Sequence, residues 1–319
     1  MKLGRKHAAI GIAAVILLAG IGWFAAGHYA TRTARDEIDG FLIRNNLKSV
    51  ISYGDISATP LGKATITDVS VKVGNIPIKC DTVTLSGVDT NHDTPRSANV
   101  TLSGINVPVL DLARTGVQPA IPLAKLGYQS MRGRLNLSYD LSNKGKLTVK
   151  THGEDSQAGS WDMTLNLSGI EPDALATLAA IPMVLTGQSN EMNLWRRLET
   201  TAMNAKLADL ELSLNDSGIH DRMQKLPDES IPASGNSSKA NQGMALNETS
   251  LVKAGMAPSG AREIVTKISG WTEKGGDISL STGLDRPIAL MRPDGMRGGT
   301  QPAFDSLESF LVATKAKIH

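Results

Sequence analysis

The sequence contains very little cysteine and few aromatic residues. Cys80 is the one cysteine among 319 residues, so the chain cannot build an internal disulfide framework or a metal site of several cysteines. Trp, Tyr and Phe occur four times each, which is 4% of the sequence. Any core must therefore be mainly aliphatic, and the length is sufficient for one large domain or two ordinary ones.

The sequence also lacks an excess of positive charge. Its 33 Lys and Arg residues face 31 Asp and Glu residues, which gives a net charge of +2. Lys2, Arg5 and Lys6 belong to a short N-terminal tail, and without them 30 basic residues face the same 31 acidic ones, a net charge of −1. Nucleic-acid-binding domains concentrate basic charge on their folded part. The sequence therefore argues against a nucleic-acid partner.

An uncharged run of twenty residues, from Ala8 to Gly27, follows the basic tail. A helix of that length spans about 30 Å, the thickness of the hydrocarbon core of a bilayer. We predict a cytoplasmic tail at residues 1–7 and a transmembrane anchor at residues 8–29, with the N-terminus inside. A cleaved signal peptide is the alternative, although its apolar run is usually about 7–15 residues long.

A short amphipathic helix is predicted directly after the anchor. Between Arg35 and Leu47, the apolar residues Ile38, Phe41 and Leu42 recur at helical spacing. We therefore assign residues 30–50 to a membrane-proximal helix and residues 51–319 to the main domain.

In the main domain, apolar and polar residues alternate. The alternating runs lie at residues 69–73, 76–80, 83–85, 100–102, 105–109, 135–141, 147–149, 161–167, 210–214 and 278–280. They predict roughly ten strands with one apolar face each, as in an antiparallel sheet with one packed and one wet face. The predicted fold class is α+β, mainly β: an elongated, curved antiparallel sheet with a few short helices.

Two details of the strand pattern carry further predictions. The alternation changes phase at Thr67-Asp68 and at Asp81-Thr82, where we expect bulges or turns. Near copies of Leu-Ser-Gly end the runs at residues 84–88, 101–105 and 166–170, with a weaker copy at residues 267–271. These copies indicate either ordinary Ser-Gly turn chemistry or one strand-and-turn unit used repeatedly.

Helical patterns interrupt the strands in the second half of the chain. Residues 228–249 are rich in Ser, Asn and Gly and predict a mobile surface loop. The predicted helices are Asp173–Leu185, one that begins at Ser189, Gly218–Leu226, Gly260–Ile268 with Ser259 as its cap, and Asp305–Ala316.

No motif identifies a catalytic, cofactor-binding or metal site, and we expect no cofactor. Ser250 and Lys253 match a Ser-x-x-Lys pattern, but the order of the accompanying elements is wrong. Asp89, Asn91 and Asp93 match the start of a calcium loop that lacks its glycine and its final glutamate, so a hairpin turn is expected. Cys80 falls on the apolar phase of its strand and is expected to be a small buried residue. We do not predict an enzyme.

Several segments follow one another behind the N-terminal anchor: residues 53–56 (Tyr-Gly-Asp-Ile), residues 60–69 and the Leu-Ser-Gly strand ends. This order resembles bacterial inner-membrane envelope proteins of the AsmA-like and YdgA-like kind. Residues 207–222 and 275–288 resemble later segments of the YdgA-like group. The resemblance covers most of residues 50–315 and carries no catalytic residues. It implies a periplasmic, β-rich domain on a tether in the inner membrane.

Two functions from different classes are compatible with this sequence. The first is a non-enzymatic protein that handles or shields lipid or lipoprotein in envelope maintenance, with acyl chains on the apolar face of the sheet. The second is a scaffold or accessory subunit of an envelope secretion or polysaccharide-export complex.

Overall fold

The computed structural model of the chain describes residues 31–44, 47–59, 63–89, 91–92, 95–118, 120–172, 174, 200–225, 246–293 and 300–319. The predicted tail at 1–7, the predicted anchor at 8–29 and the predicted loop up to residue 245 lie outside these residues. So do most of the predicted Asp173–Leu185 helix and the start of the helix predicted from Ser189. Within the described ranges, no helix combines the length and apolarity needed to cross a bilayer.

The first half of the described chain is dominated by strands. A helix, α1 (Thr31–Arg44), precedes β1 (Ile51–Ser52), β2 (Ile56–Ala58), β3 (Ala64–Val73), β4 (Ile76–Ser86) and β5 (Ser97–Val107). Two one-turn helices, α2 (Val109–Arg114) and α3 (Ala120–Lys125), separate β5 from β6 (Met131–Leu141), β7 (Leu147–Asp155) and β8 (Gly159–Ser168).

The second half adds one long strand and most of the helices. The elements are β9 (Lys206–Asp216), α4 (Ile219–Gln224), α5 (Glu248–Lys253), α6 (Pro258–Lys274), β10 (Asp277–Ser281), β11 (Ile288–Ala289), β12 (Met291–Pro293), β13 (Thr300–Pro302), α7 (Leu307–Ala313) and β14 (Lys317–Ile318).

One antiparallel sheet organises these strands. Its path runs β1-β3-β4-β5-β6-β7-β8-β9-β10-β14, with β2 beside β1 on β3 and β11 on β9, while β12 and β13 pair separately. The predicted fold class is confirmed at this level: the protein is mainly β, with a large antiparallel sheet and a few short helices.

The register aligns the apolar residues of neighbouring strands into rows on one face. Cα pairing joins one row across eight strands: Ile66, Val83, Leu102, Leu135, Gly153, Trp161, Leu214 and Ile278. The row beside it contains Leu137, Thr151, Met163, Leu212 and Leu280. This face is the packed face that alternation predicts.

The predicted phase changes in β3 and β4 are confirmed, and β5 shares them. Asp68 has a positive φ of 53°, and the buried residues on its two sides, Ile66 and Val69, are three positions apart. Gly104 in β5 has a φ of 66°, and the β5–β6 register shifts there. The strands β3, β4 and β5 each contain one extra residue, and the three extra residues lie side by side across the sheet. The pairing register among these three strands is therefore preserved, and the register shift appears between β5 and β6.

The Leu-Ser-Gly segments are not all strand ends. Gly87 and Gly169 follow β4 and β8 with φ values of 59° and 76°, as a turn requires. Gly104 lies inside β5 as the bulge residue, and residues 267–271 lie inside α6. The expectation of a common strand ending is therefore wrong for these two segments.

Helices cover the two ends of the apolar face. Ile38 and Leu42 of α1 pack with buried residues of β3, β4 and β5 in one core cluster. At the far end, Leu251 of α5, Ile264 of α6 and Leu311 of α7 pack with Ile318 of β14. Between them, most side chains of β6, β7 and β8 on this face are only half-buried.

Several helix boundaries differ from those predicted. The helix α6 begins at Pro258 with Ala257 as its N-cap and no side-chain cap bond, so the prediction of Ser259 as cap is wrong. Proline fits the first helical position because its φ is fixed and no N–H is needed there. Ser306 caps α7, which ends at Ala313 rather than Ala316, and Lys315 has a φ of 50° before the chain enters β14.

The other boundaries shift by a few residues. The helix α1, expected within residues 30–50 from the apolar spacing between Arg35 and Leu47, spans Thr31–Arg44. The helix α5 begins at Glu248 because the Asn247 side chain accepts the N–H of Ser250, so the last two residues of the predicted loop are helical.

Candidate functional site

One cavity of the described chain lies on the apolar face, over β5 to β9. It has a volume of about 360 Å³, and Trp271 of α6 and Ile219 of α4 are among its lining residues. Its apolar lining also includes Ile105, Val107, Met131, Leu135, Ala158, Trp161 and Leu214. A cavity of this size lies within the range of about 300–1,000 Å³ typical of small-molecule sites.

Glycines form part of the floor of this cavity. The Trp161 indole lies over Gly153 on the neighbouring strand, where a Cβ atom would collide with the ring. A Cβ atom on Gly133 would likewise collide with the backbone carbonyl of Glu154. The absence of side chains at these two positions makes room for the Trp161 ring and for the Glu154 carbonyl, which lie where a Cβ atom would be.

A second cavity of about 160 Å³ adjoins the first. Nine of its ten lining residues are Leu or Ile, and the tenth is Ser279: the nine are Leu212, Leu214, Leu246, Ile268, Ile278, Leu280, Leu307, Leu311 and Ile318. Both cavities are lined by Leu214, whose side chain remains 37% exposed. We call the two cavities together the trough.

The wall residue Trp271 is held by its own helix end. The helix α6 ends at Lys274, and the C-cap residue Gly275, with a φ of 68°, turns the chain into β10. The Trp271 Nε1–H donates to the Gly276 carbonyl at 3.0 Å. The indole nitrogen is thereby satisfied, which leaves the ring as an apolar surface.

The helix α4, which contributes Ile219 to the lining, lies beside the end of α6 and is anchored by charge. The Asp216 carboxylate accepts the N–H groups of Gly218, Ile219 and His220 at 2.7–2.9 Å. Partial burial raises the pKa of this carboxyl, but the backbone N–H groups outweigh it and hold the pKa below its ordinary value. Asp216 is therefore an ionised helix cap rather than a proton donor.

A cation–π contact fixes the same helix to the rest of the domain. The Arg222 guanidinium carbon lies 4.2 Å from the centre of the buried Tyr128 ring, and Arg222 Nη2 donates to Gln157 Oε1 at 2.8 Å. These contacts join α4 to the segment after α3 and to the β7–β8 turn. The helix α4, which carries Ile219, is consequently packed against the rest of the domain.

Two of the residues selected from sequence motifs, Ser250 and Asp89, have local structural partners. The Ser250 hydroxyl donates to the Asn247 carbonyl at 3.0 Å within the cap of α5, and Lys253 is exposed at the end of that helix. The Asp89 carboxylate accepts the N–H groups of Asn91 and Arg96 and contacts His92, as in a hairpin turn. Asp93 lies outside the described residues.

Cys80 is buried, as predicted. Its Sγ–H lies 3.1 Å from the Thr82 carbonyl and 3.3 Å from that of Ser103, and burial raises the pKa of the thiol to about 11. The thiolate needed for nucleophilic or metal chemistry is thus disfavoured. Among the described residues, no group of three or more His, Cys, Asp or Glu side chains could hold a metal ion.

Sequence patterns did not identify the trough residues as a site. The alternation assigned four of them to the apolar face: Leu212, Leu214, Trp161 and Ile278. It does not tell which part of that face a helix covers. The glycines and Trp271 were missed, although a glycine opposite an aromatic residue on the next strand is a usable signal.

No protein-family model matches the chain, and no curated protein sequence matches it. The resemblance to AsmA-like and YdgA-like envelope proteins therefore stays a prediction, and the trough is the feature from which function is argued.

Proposed function

We propose that the protein is a membrane-anchored, non-enzymatic envelope protein that binds the aliphatic chain of a lipid in the trough. The carrying observation is that the accessible surface of the two adjoining cavities, which share Leu214, is predominantly apolar, although Arg134, Glu154, Asp155 and Asp216 also border the first cavity. Burial of acyl methylenes contributes about 0.8 kcal/mol each, so eight of them would contribute roughly 6 kcal/mol before the costs of association.

The N-terminal sequence supports a lipid as the occupant. The uncharged run from Ala8 to Gly27 ends only a few residues before α1, and α1 packs on the same sheet as the trough. A domain held this close to a bilayer meets acyl chains at high local concentration. The proposed location is the bacterial inner membrane, with the N-terminus cytoplasmic and the main domain in the periplasm.

A photoreactive alkane tests the proposal in membranes that contain the full chain. We expect covalent labelling of the peptide that contains Leu212 and Leu214. Leu214→Asp should reduce this labelling at least tenfold, because a charge at the junction of the cavities must be desolvated when an acyl chain enters.

Val252→Asp is the matched control. Val252 lies on α5, is 38% exposed like Leu214 at 37%, and lines neither cavity. Its labelling should equal that of the wild type. The proposal is wrong if the wild type is labelled only in its N-terminal segment. If a protein crosslinker then gives one defined partner, the scaffold or accessory-subunit function replaces it.

A further inference from the structure

The two cavities of the trough follow one row of the sheet and one helix. Trp161 of β8, Leu214 of β9 and Ile278 of β10 are neighbours in one row, and they line the first cavity, both cavities and the second cavity, respectively. On α6, Trp271 lines the first cavity, and Ile268, one turn away on the same helix, lines the second. A flexible ligand can therefore extend from one cavity into the other.

The trough has the length of one acyl chain. Its floor reaches from Leu135 on β6 along the same row to Ile278 on β10, a distance of four strand spacings or about 19 Å. The acyl chains of one leaflet cover about 15 Å, half of the hydrocarbon core of a bilayer. A chain that lies across the strands therefore fits within the trough from end to end.

The volume of the trough is also that of one chain. The first cavity has a volume of about 360 Å³ and the second about 160 Å³. A methylene group occupies about 30 Å³, as a water molecule does in the liquid, so the two cavities hold about twelve and about five methylene groups. One chain of about 16 to 18 carbons fills both cavities, whereas the two chains of a diacyl lipid would need about twice this volume.

The two ends of the trough differ in polarity. The charged residues that border it in the described part of the chain all lie at the first cavity: Arg134, Glu154, Asp155 and Asp216. The second cavity is lined by Leu, Ile and Ser279. Since burial of a polar headgroup among aliphatic side chains costs free energy and burial of a methyl group does not, the second cavity suits the methyl end of a chain.

We propose that the trough holds a single linear acyl chain of about 16 to 18 carbons, with its methyl end in the second cavity. This inference rests on the proposed function, which requires only an aliphatic occupant, and it adds the number of chains, their length and their direction. The ligand is then a lipid with one acyl chain, or a lipid that leaves its second chain in the bilayer.

Competition against the photoreactive alkane tests the chain length in membranes that contain the full chain. The competitors are linear primary alcohols from decanol to tetracosanol, at equal mole fraction in the membrane. Hexadecanol should compete about tenfold better than decanol, which leaves the second cavity empty, and about tenfold better than tetracosanol, which is too long for the trough.

Ile278→Trp tests the direction of the chain. Ile278 lines the second cavity only and is half-buried on β10, where tryptophan suits a strand, so the indole should fill part of this cavity in a folded variant. The best competitor should then become shorter by two or more carbons. Val252→Trp, on α5 and outside both cavities, is the control and should keep the wild-type optimum.

Leu307→Trp is a second variant for the same cavity, and it should shift the optimum in the same direction. Leu307 is the first residue of α7 and is 54% exposed, so a larger side chain is tolerated there. An optimum that stays at hexadecanol in every variant that keeps the wild-type melting temperature would overturn the inference.

The possible failures are distinguishable. If the alkane does not label the wild-type trough, the proposed function fails. If it does, and competition rises steadily up to tetracosanol, the single-chain inference is overturned and lipid binding stands. Two alcohol molecules per protein in native mass spectra would overturn it as well.

Two phospholipids distinguish the sources of the chain. Palmitoyl lysophosphatidylethanolamine should compete at least as well as dipalmitoyl phosphatidylethanolamine. An advantage of the lyso form identifies a lipid with one acyl chain, and equal competition shows that the second chain stays in the bilayer. Better competition by the diacyl form would mean that both chains enter the trough, contrary to the inference.

Discussion

The Trp161 indole on β8 lies directly over Gly153 on β7, in the space that any side chain at position 153 would require. The two residues are a cross-strand pair: Trp161 contributes an apolar ring to the cavity lining, and Gly153 leaves the volume that this ring occupies. Because both residues line the first cavity, the shape of the trough depends on a residue that has no side chain.

Gly153→Ala should therefore destabilise the domain and impair the proposed acyl-chain binding together. The added methyl group displaces the Trp161 ring into the cavity, and overpacking of this kind costs about 1–3 kcal/mol. Gly270→Ala is the control, because a Cβ atom at that helical position meets nothing within 4 Å. This control should raise the free energy of unfolding by about 0.5–1 kcal/mol. Urea unfolding and alkane labelling give the two readouts, and equal behaviour of the two variants would contradict the prediction.

Gly104→Ala tests the bulge shared by β3, β4 and β5. Position 104 has a φ of 66°, and an added Cβ atom would collide with the Asp81 carboxylate. We expect a loss of about 2–4 kcal/mol, made up of backbone strain and the collision. An Asp81→Gly background removes the carboxylate and also the Cβ atom, which would lie 2.7 Å from the added Cβ, so the loss should fall to the strain alone, about 1–2 kcal/mol. A double-mutant cycle with no coupling between the two positions would show that Asp81 does not occupy this space.

The pH dependence of stability should include a contribution from His152 on the polar face. Hydrogen bonds to Glu154 at 3.0 Å and to Asp162 at 2.8 Å raise the pKa of the imidazole above its ordinary 6.5. The protonated form is favoured in the folded state, so this contribution is complete below pH 6.5 and is lost as the pH rises through the raised pKa. Urea unfolding from pH 5.5 to 8.5 should show the decline, and His152→Gln should remove it. A decline that persists in the variant would assign it to another group.

Cys80 should be unreactive in the folded protein. Burial raises the pKa of its thiol to about 11, so very little thiolate exists at pH 8. A maleimide reagent should modify Cys80 only after unfolding in urea, with complete modification there as the internal control. Rapid modification in native buffer would mean that β4 opens locally.

Strand positions and the packed face could be predicted from sequence because period-two alternation is a direct consequence of strand geometry. The same pattern located the irregularities at Asp68 and Asp81, since a bulge changes the spacing of buried residues from two to three. The predicted helix boundaries near Pro258 and Ala313 were wrong. Neighbouring residues at each helix end can act as the cap, and the sequence pattern does not tell which of them does.

The site was less predictable than the fold. Alternation assigns Leu214 and Leu102 to one face, but Leu102 is covered by the cluster that includes α1, whereas Leu214 stays 37% exposed. The difference in exposure between these two residues depends on which part of the sheet is packed against helices that are distant in sequence. Thr151 and Gly153 interrupt the apolar alternation of β7, so the pattern ended at Val149 although the strand continues to Asp155.

The outermost strands of the sheet are very short. At one side β1 and β2, of two and three residues, together occupy the length of β3, and at the other β14 has two residues. An incoming extended peptide would find only two or three consecutive backbone groups to pair with at either side of the described sheet, too few to add a strand. The size of the sheet is therefore limited by the chain itself, so copies at high local concentration are not expected to join edge to edge into fibres.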